Sequence, residues 1–507
     1  MKKQKKQKKN RYFLFGFLLF LAYTIYIVCY WTSNTFGVGL DQIIFTITSP
    51  LKGADNSTFL SAVETCVPRI LAVMGVYILL AVIDSKTNFS LNLSIKLKKR
   101  CLNFNVFKIF RVLVCLLIVA SVVLSVIYAD QKFMFVDYIK VRNAQSPIYA
   151  DHYVDPKDAN IKLVNEDGEY KNLIYIYLES METTYASNEI GGRQDINYIP
   201  NLTKLADENT TFSNSEKLGG FRTVYGTTYT MGALMGLTSG VPYAFPVHGN
   251  DMGERSAFAS GLTNLGDVLE GFGYNQEFLC GSDSNFAGRD AYFKQHGNYE
   301  IFDLHTARQE GWVPKDYYVF WGYEDMYLYK IAKNELLELA EKDEPFNFTM
   351  LTVDTHHISG YVCPICDNKY DMQVKNVISC ADRQIYEFIE WCKQQSFYED
   401  TVIIISGDHP RMDTDLVDGV EYKERTIYNC FINSQAKADG SLTNREFTTL
   451  DMFPTTLAAL GFKWDGERLG LGTNLFSKQK TLCEEMGFEN LDTELSKKSN
   501  YYLEHFS

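Results

Sequence analysis

The chain has 507 residues, of which 46% are hydrophobic and 14% aromatic, so it can bury more than one small core, and a mostly disordered or fibrous chain is excluded. Charge is unevenly spread: residues 1–130 hold 16 Lys+Arg against 5 Asp+Glu, which leaves residues 131–507 with 33 against 57, a balance of −24. A region that acidic lacks the clustered cations that neutralise phosphates, so nucleic acid is excluded as a partner.

The first predicted element is an uncharged run from Phe13 to Trp31, long enough to cross a hydrocarbon core of about 30 Å as a helix. Seven Lys or Arg precede it within eleven residues, and no small-x-small cleavage site closes it, so it reads as an anchor rather than a secretory leader. A second span is expected over Phe59 to Ile83, with Glu64 and Arg69 near the interface, and a third over Val112 to Tyr128. Seven Lys or Arg lie before the first span, one lies between the first and second, and seven run from Lys86 to Arg111 before the third. Positive loops stay on the cytoplasmic side, so everything after about residue 130 is expected outside, at the surface of a multi-pass cell-membrane protein.

The expected organisation is a membrane region at 1–130, a polar juxtamembrane connector at 131–170, an α/β domain at 171–480 and a C-terminal tail at 481–507. Within the α/β domain, short apolar runs alternate with helical stretches. LIYIYLES, EFLCGSD near 277–283, FNFTMLTVDTHH near 346–357 and TVIIISGDHP at 401–410 read as parallel strands buried on both faces. Helices are expected near 199–208, 325–342 and 382–397. Seven of the eleven cysteines fall in the outer region. Cys363 and Cys366 resemble half of a zinc ribbon, but no second CxxC follows, so a disulfide with Cys380 or Cys392 is the expectation there.

Ligands of open α/β sheets sit beyond the carboxyl ends of the strands. Those ends carry Glu179, Gly281-Ser282-Asp283, Asp354-Thr355-His356-His357 and Gly407-Asp408-His409. A Glu ending one strand, or an Asp-His pair in one turn, is ordinarily a solvated loop feature. Several on successive strand ends favour a mixed oxygen and nitrogen site for a divalent ion. His248, in PVHGNDM, reads as a surface histidine.

In order and spacing these pieces resemble the alkaline-phosphatase and sulfatase superfamily, and the whole chain resembles its membrane-anchored phosphoglycerol transferase branch, which includes lipoteichoic acid synthases and the enzymes that modify periplasmic glucans. The likeness is close over residues 172–477 and looser over the spans. It implies an α/β domain of sulfatase type, with Glu179, Asp408 and His409 as metal ligands. It further implies that His356 meets the leaving group or substrate phosphate, and that Arg289, within SDSNFAGRDAYFKQHG, contacts the phosphate. TTLDMFPTTLAALG and RLGLGTNLF are similar to the superfamily's closing helix and last turn. FAGRD, with Ala287 and Gly288 ahead of the Arg, is more like the glucan-modifying enzymes than the lipoteichoic acid synthases.

Sulfatases use a modified Cys as nucleophile, whereas this branch uses an unmodified Thr, and GTTYTMGALMGLTSGVP contains no Cys. Counting back from Gly240 selects Thr230, which would also join the metal ligands, while counting forward from Gly226 selects Thr228; Thr230 is the preferred choice. A metal ion lowers the pKa of such a hydroxyl, and a helix N-terminus holds phosphoryl oxygens. The resemblance implies one divalent ion, manganese first, with zinc or magnesium as alternatives. The expected reaction moves phosphoglycerol from phosphatidylglycerol to a cell-envelope glycan or a glycerophosphate polymer of teichoic-acid type. The nearest alternative is a phosphoethanolamine transferase, and a non-catalytic membrane scaffold is the alternative of another class.

Overall fold

The computed structural model describes residues 2–36, 40, 43–44, 57–87, 91–97, 100–164, 168–245, 258–417 and 419–506; His248 lies outside them. It resolves into two compact units, one of residues 1–36 and 56–139 and one that includes residues 140–507.

In the first unit, three helices are long and apolar enough to cross a membrane: α1 (Lys2–Thr35), α2 (Ser57–Lys86) and α3 (Val106–Phe133). Each extends past the run that its apolar residues mark, because charged and polar flanks continue the same backbone hydrogen bonding. Polar groups join all three at one end. The Arg111 guanidinium donates from Nε (2.9 Å) and Nη2 (2.7 Å) to Asp84 Oδ1, and the Tyr12 hydroxyl donates to Asp84 Oδ2 at 2.5 Å. A hairpin of β1 (Asn92–Leu97) and β2 (Arg100–Asn105) leads into α3.

The second unit is built on six strands: β3 (Asn172–Leu178), β4 (Asn275–Cys280), β5 (Glu300–Phe302), β6 (Phe346–Leu351), β7 (Thr401–Gly407) and β8 (Asn429–Ile432). Their spatial order is β5-β4-β6-β3-β7-β8; every pairing is parallel except that of β7 with the edge strand β8. Side chains alternate between faces along a strand. On the central strand β3, Leu173, Tyr175 and Tyr177 therefore enter one core, and Ile174, Ile176 and Leu178 enter the other. Both faces are covered, which is why the strand is apolar throughout.

Helices α4 (Pro200–Glu208), α8 (Asp325–Ala340) and α9 (Gln373–Cys392) bury Leu202, Leu328, Ile331, Ile378 and Phe388 on the second face. On the first lie α5 (Thr230–Ser239), α6 (Leu265–Gly271), α7 (Arg289–Gln295) and α10 (Met452–Ala459), through residues such as Leu234, Leu269, Tyr292 and Leu457. Helix α9 starts at Gln373 rather than near 382, since its buried residues begin at Val374.

Two segments differ from the sequence reading. The stretch read as a connector contributes Ile148 and Tyr149 to the core, 3% and 1% exposed. The stretch read as a tail folds into α11 (Leu482–Met486), α12 (Phe488–Ser496) and α13 (Asn500–Phe506), and Leu482, Leu491, Leu495, Tyr502 and Phe506 are buried against the first face. Their apolar spacing closes that layer.

Candidate active site

The carboxyl ends of β3 and β7 lie side by side, because Leu178 pairs with Gly407, and the residue that follows each strand is a carboxylate. Glu179 and Asp408 are 2% and 0% exposed, with His409 beside them at 2%. Ligand atoms of these three residues all lie within 4.8 Å of one another. His409 Nε2 is 3.6 Å from Glu179 Oε1 and 3.4 Å from Asp408 Oδ2. Its Nδ1 is held by the Pro410 carbonyl at 2.9 Å. That contact fixes the tautomer with the proton on Nδ1 and turns the Nε2 lone pair into the site, as metal-binding histidines require.

Helix α5 supplies the hydroxyl. Thr230, its first residue, sits with Oγ1 3.3 Å from Glu179 Oε2 and 3.2 Å from His409 Nε2. The preceding Tyr229 makes no side-chain cap. Opening N–H groups at such an end have no partner within the helix and suit an anion. Thr228 is buried in the turn two residues upstream. Of the two threonines weighed in the sequence, Thr230 is therefore the one seen to reach both Glu179 and His409.

Glu179 is tightly held. Its N–H donates to Thr352 Oγ1 (2.9 Å), Ser180 Oγ donates to its Oε1 (2.6 Å), and Thr355 Oγ1 donates to its carbonyl (2.5 Å). Burial alone would raise its pKa, but the neighbouring His356 and His409 rings and the hydroxyl donors outweigh that and keep the carboxyl below its ordinary range. Asp408 is pushed up to about 7, first by burial and then by the Glu179 charge. Its Oδ1 accepts from the Ser180 and His409 N–H groups at 2.8 and 2.7 Å, whereas Oδ2 is buried without a hydrogen-bond partner. A partnerless buried carboxylate oxygen, a second carboxylate and an oriented imidazole form a donor set that fits one divalent cation, which would remove the repulsion between the two acids.

His356 is half-buried, with Nδ1 2.8 Å from the His357 carbonyl and its ring 4.6 Å from the Trp321 ring. Burial holds its pKa below the ordinary value against the opposing pull of Glu179. Arg289 opens α7 in a buried position. Its Nε and Nη2 donate to the Phe286 and Asp283 carbonyls at 3.1 and 2.8 Å, so the guanidinium is fixed to the turn after β4.

The sequence reading assigned no role to Glu182, Arg411, Asp413 or Arg425, yet all four are buried around the turn that carries Asp408 and His409. Arg411 donates to Asp413 (2.5 and 2.8 Å) and to the Thr355 carbonyl (2.8 Å), while its N–H donates to Glu182 Oε1 (2.8 Å). Arg425 closes the network by pairing with Glu182 and donating to the Arg411 carbonyl at 2.6 Å. These pairs join the loop after β3 to the loop after β7.

Residues 171–462, more than half of the chain, match the sequence profile of the family described as sulfatase. The chain belongs to the sulfatase family. It combines the family's α/β domain with an N-terminal region of membrane-capable helices. Phosphoglycerol transferase I of Escherichia coli (strain SMS-3-5 / SECEC) is 28% identical over 473 residues, covering 92% of this chain and 56% of that protein. Phosphoglycerol transferase I of Salmonella choleraesuis (strain SC-B67) is 31% identical over 345 residues, 66% of this chain and 42% of that one. The chain thus spans about half the length of these relatives. Among solved structures, a lipoteichoic acid synthase from Listeria monocytogenes is similar at a TM-score of 0.45 and 17% identity, over 63% of this chain and 79% of that one.

Proposed function

We propose that this protein transfers phosphoglycerol from phosphatidylglycerol to a hydroxyl of a cell-envelope glycan or teichoic-acid-type polymer, with Thr230 as the nucleophile. One observation carries the proposal: a threonine hydroxyl at an uncapped helix start lies 3.3 Å from Glu179 and 3.2 Å from His409. Relatives named phosphoglycerol transferase I support the choice of headgroup.

In the first half-reaction Thr230 Oγ bonds to phosphorus as the bond from phosphorus to the diacylglycerol oxygen breaks. The Thr230 proton departs along its hydrogen bond to Glu179 Oε2 and passes on to the departing diacylglycerol oxygen, which leaves as the alcohol. In the second half an acceptor hydroxyl attacks the phosphothreonine, and Thr230 regains its hydrogen. His356, with Nδ1 committed to a carbonyl, has Nε2 left to accept the proton of that hydroxyl. Arg289 and the opening N–H groups of α5 hold the phosphoryl oxygens. Glu179, Asp408, His409 and Thr230 would hold the divalent ion, manganese by preference, whose charge acidifies the hydroxyl and offsets the phosphate's.

The uneven Lys and Arg distribution supports three crossings, with the sulfatase-type domain outside and next to its lipid donor. Incubating the full chain with headgroup-labelled phosphatidylglycerol or phosphatidylethanolamine tests the donor. Diacylglycerol released from phosphatidylglycerol alone is expected; release from phosphatidylethanolamine alone would replace this function with phosphoethanolamine transfer.

A further inference from the structure

Beyond β6, the chain passes His356 and His357, forms a turn at Cys363-Cys366 and enters α9. Cys363 Sγ lies 3.4 Å from Cys366 Sγ and 3.8 Å from Cys380 Sγ, and the three sulfurs all fall within 4.8 Å of one another. Cys363 and Cys380 are 2% and 3% exposed, while Cys366 is half-buried. No two of them are bonded, and Cys392, the other partner considered from sequence, is a separate free thiol.

We infer that Cys363, Cys366 and Cys380 form a second metal site, for a thiophilic divalent ion of the zinc class. Three observations support it. A disulfide brings two sulfurs to about 2.0 Å and leaves the third idle, whereas zinc with Zn–S bonds of about 2.3 Å sets tetrahedral thiolates about 3.8 Å apart. The Cys363 separations of 3.4 and 3.8 Å lie nearer the second spacing, and all three sulfurs fall within 4.8 Å of one another. The turn has the form such ligands use: the Cys366 N–H donates to the Cys363 carbonyl at 3.0 Å, which folds the two thiols toward one point, and Cys380 meets them from α9.

Two N–H donors also face the Cys380 sulfur. Arg383 Nη2 is 2.6 Å from the Ile365 carbonyl and 3.7 Å from Cys380 Sγ, and Gln384 Nε2 is 3.4 Å from the same sulfur. One cation therefore offsets the negative charge that three thiolates leave on a divalent ion, and two N–H donors orient the Cys380 ligand. Solvent reaches the cluster at Cys366, where water can complete the tetrahedron. Soft thiolates select zinc over manganese, so this site and the Glu179 site would take different metals from one mixture. Its structural effect is to staple the segment after His356 to α9. The Tyr361 N–H, two residues before Cys363, already donates to the Asp354 carbonyl at 2.7 Å.

The test uses full-length protein purified without chelator and supplied with zinc. Organomercurial titration should release one zinc per chain from wild type and from Asp408→Asn. It should release none from Cys363→Ser or from Cys366→Ser, the latter at a half-exposed position that tolerates change if the former fails to fold. Cobalt substitution should give a near-ultraviolet thiolate charge-transfer band in wild type that the serine variants lack. Non-reducing peptide mapping that finds any two of the three cysteines bonded, or three reduced thiols without metal, would overturn the inference.

Discussion

At Asp408, burial and the Glu179 charge act against ionisation, and Oδ2 is left without a donor. The residue's conformation is set by Ser180 and His409, so replacing one oxygen by an amide changes the metal affinity more than the backbone. For wild type, manganese at a hundredfold excess over its Kd should stabilise the fold by about 2.7 kcal/mol. In Asp408→Asn the manganese-dependent rise in Tm should disappear together with bound metal, read by calorimetry and elemental analysis. An undiminished shift would remove Asp408 from the metal site. Glu179, Asp408 and His409 were legible in the sequence because Glu179 and the Asp408-His409 pair directly follow apolar strands. The partners that lock them, Glu182 with Arg425 and Arg411 with Asp413, were not. Glu182 and Arg425 lie 243 residues apart and leave no local pattern to read, and Arg411 and Asp413, although two residues apart, look like any exposed charged pair in a turn.

At the scale of elements, the joint between β3 and β7 depends on one close approach. A Cβ on Gly407 would stand 2.1 Å from the Met181 carbonyl oxygen. Gly407→Ala must therefore separate the two loops that carry Glu179 and Asp408, at a cost of about 1–3 kcal/mol for overpacking. Denaturant unfolding should show that loss, and metal affinity should fall with it although no ligand has changed; unchanged stability and affinity would mean the loops yield freely.

Strand β4 makes a different prediction. Glu277 is pushed up to about 9, chiefly by burial and then by Glu335 and Glu300. A carboxyl with a raised folded-state pKa binds its proton more tightly folded than unfolded, so its contribution to stability declines from about pH 4.5 to about pH 9. Glu277→Gln should thus be more stable than wild type by about 3 kcal/mol at pH 7 at 1.36 kcal/mol per pH unit, with the gain vanishing near pH 4.5. Melting curves across that range would show a flat difference if the side chain were already ionised.

The four main apolar runs announced β3, β4, β6 and β7, but their order in the sheet did not follow from sequence, since parallel neighbours are chosen by packing between distant segments. Edge strand β8 is four residues long and gives too short a pattern to distinguish from a loop. The C-terminal helices did carry a signal: Thr481 and Glu484 make a capping box, and Phe488, Leu491 and Leu495 repeat at helical spacing.

For the whole molecule, the proposed topology of three crossings with the sulfatase-type domain outside rests on three helices long and apolar enough to cross a membrane and on the seven, one, seven distribution of cations. Protease added to intact cells or spheroplasts should remove the region after residue 140, and cleavage confined to inside-out vesicles would reverse the orientation. The central claim is that this domain carries phosphoglycerol on Thr230. Its most direct test is mass spectrometry of full-length protein after exposure to phosphatidylglycerol and manganese, with peptides mapped across residues 222–243. The account predicts a phosphoglycerol adduct on Thr230, lost together with diacylglycerol release in a folded Thr230→Ala protein and retained in Thr228→Ala. An adduct on Thr228, or undiminished turnover by Thr230→Ala, would contradict it.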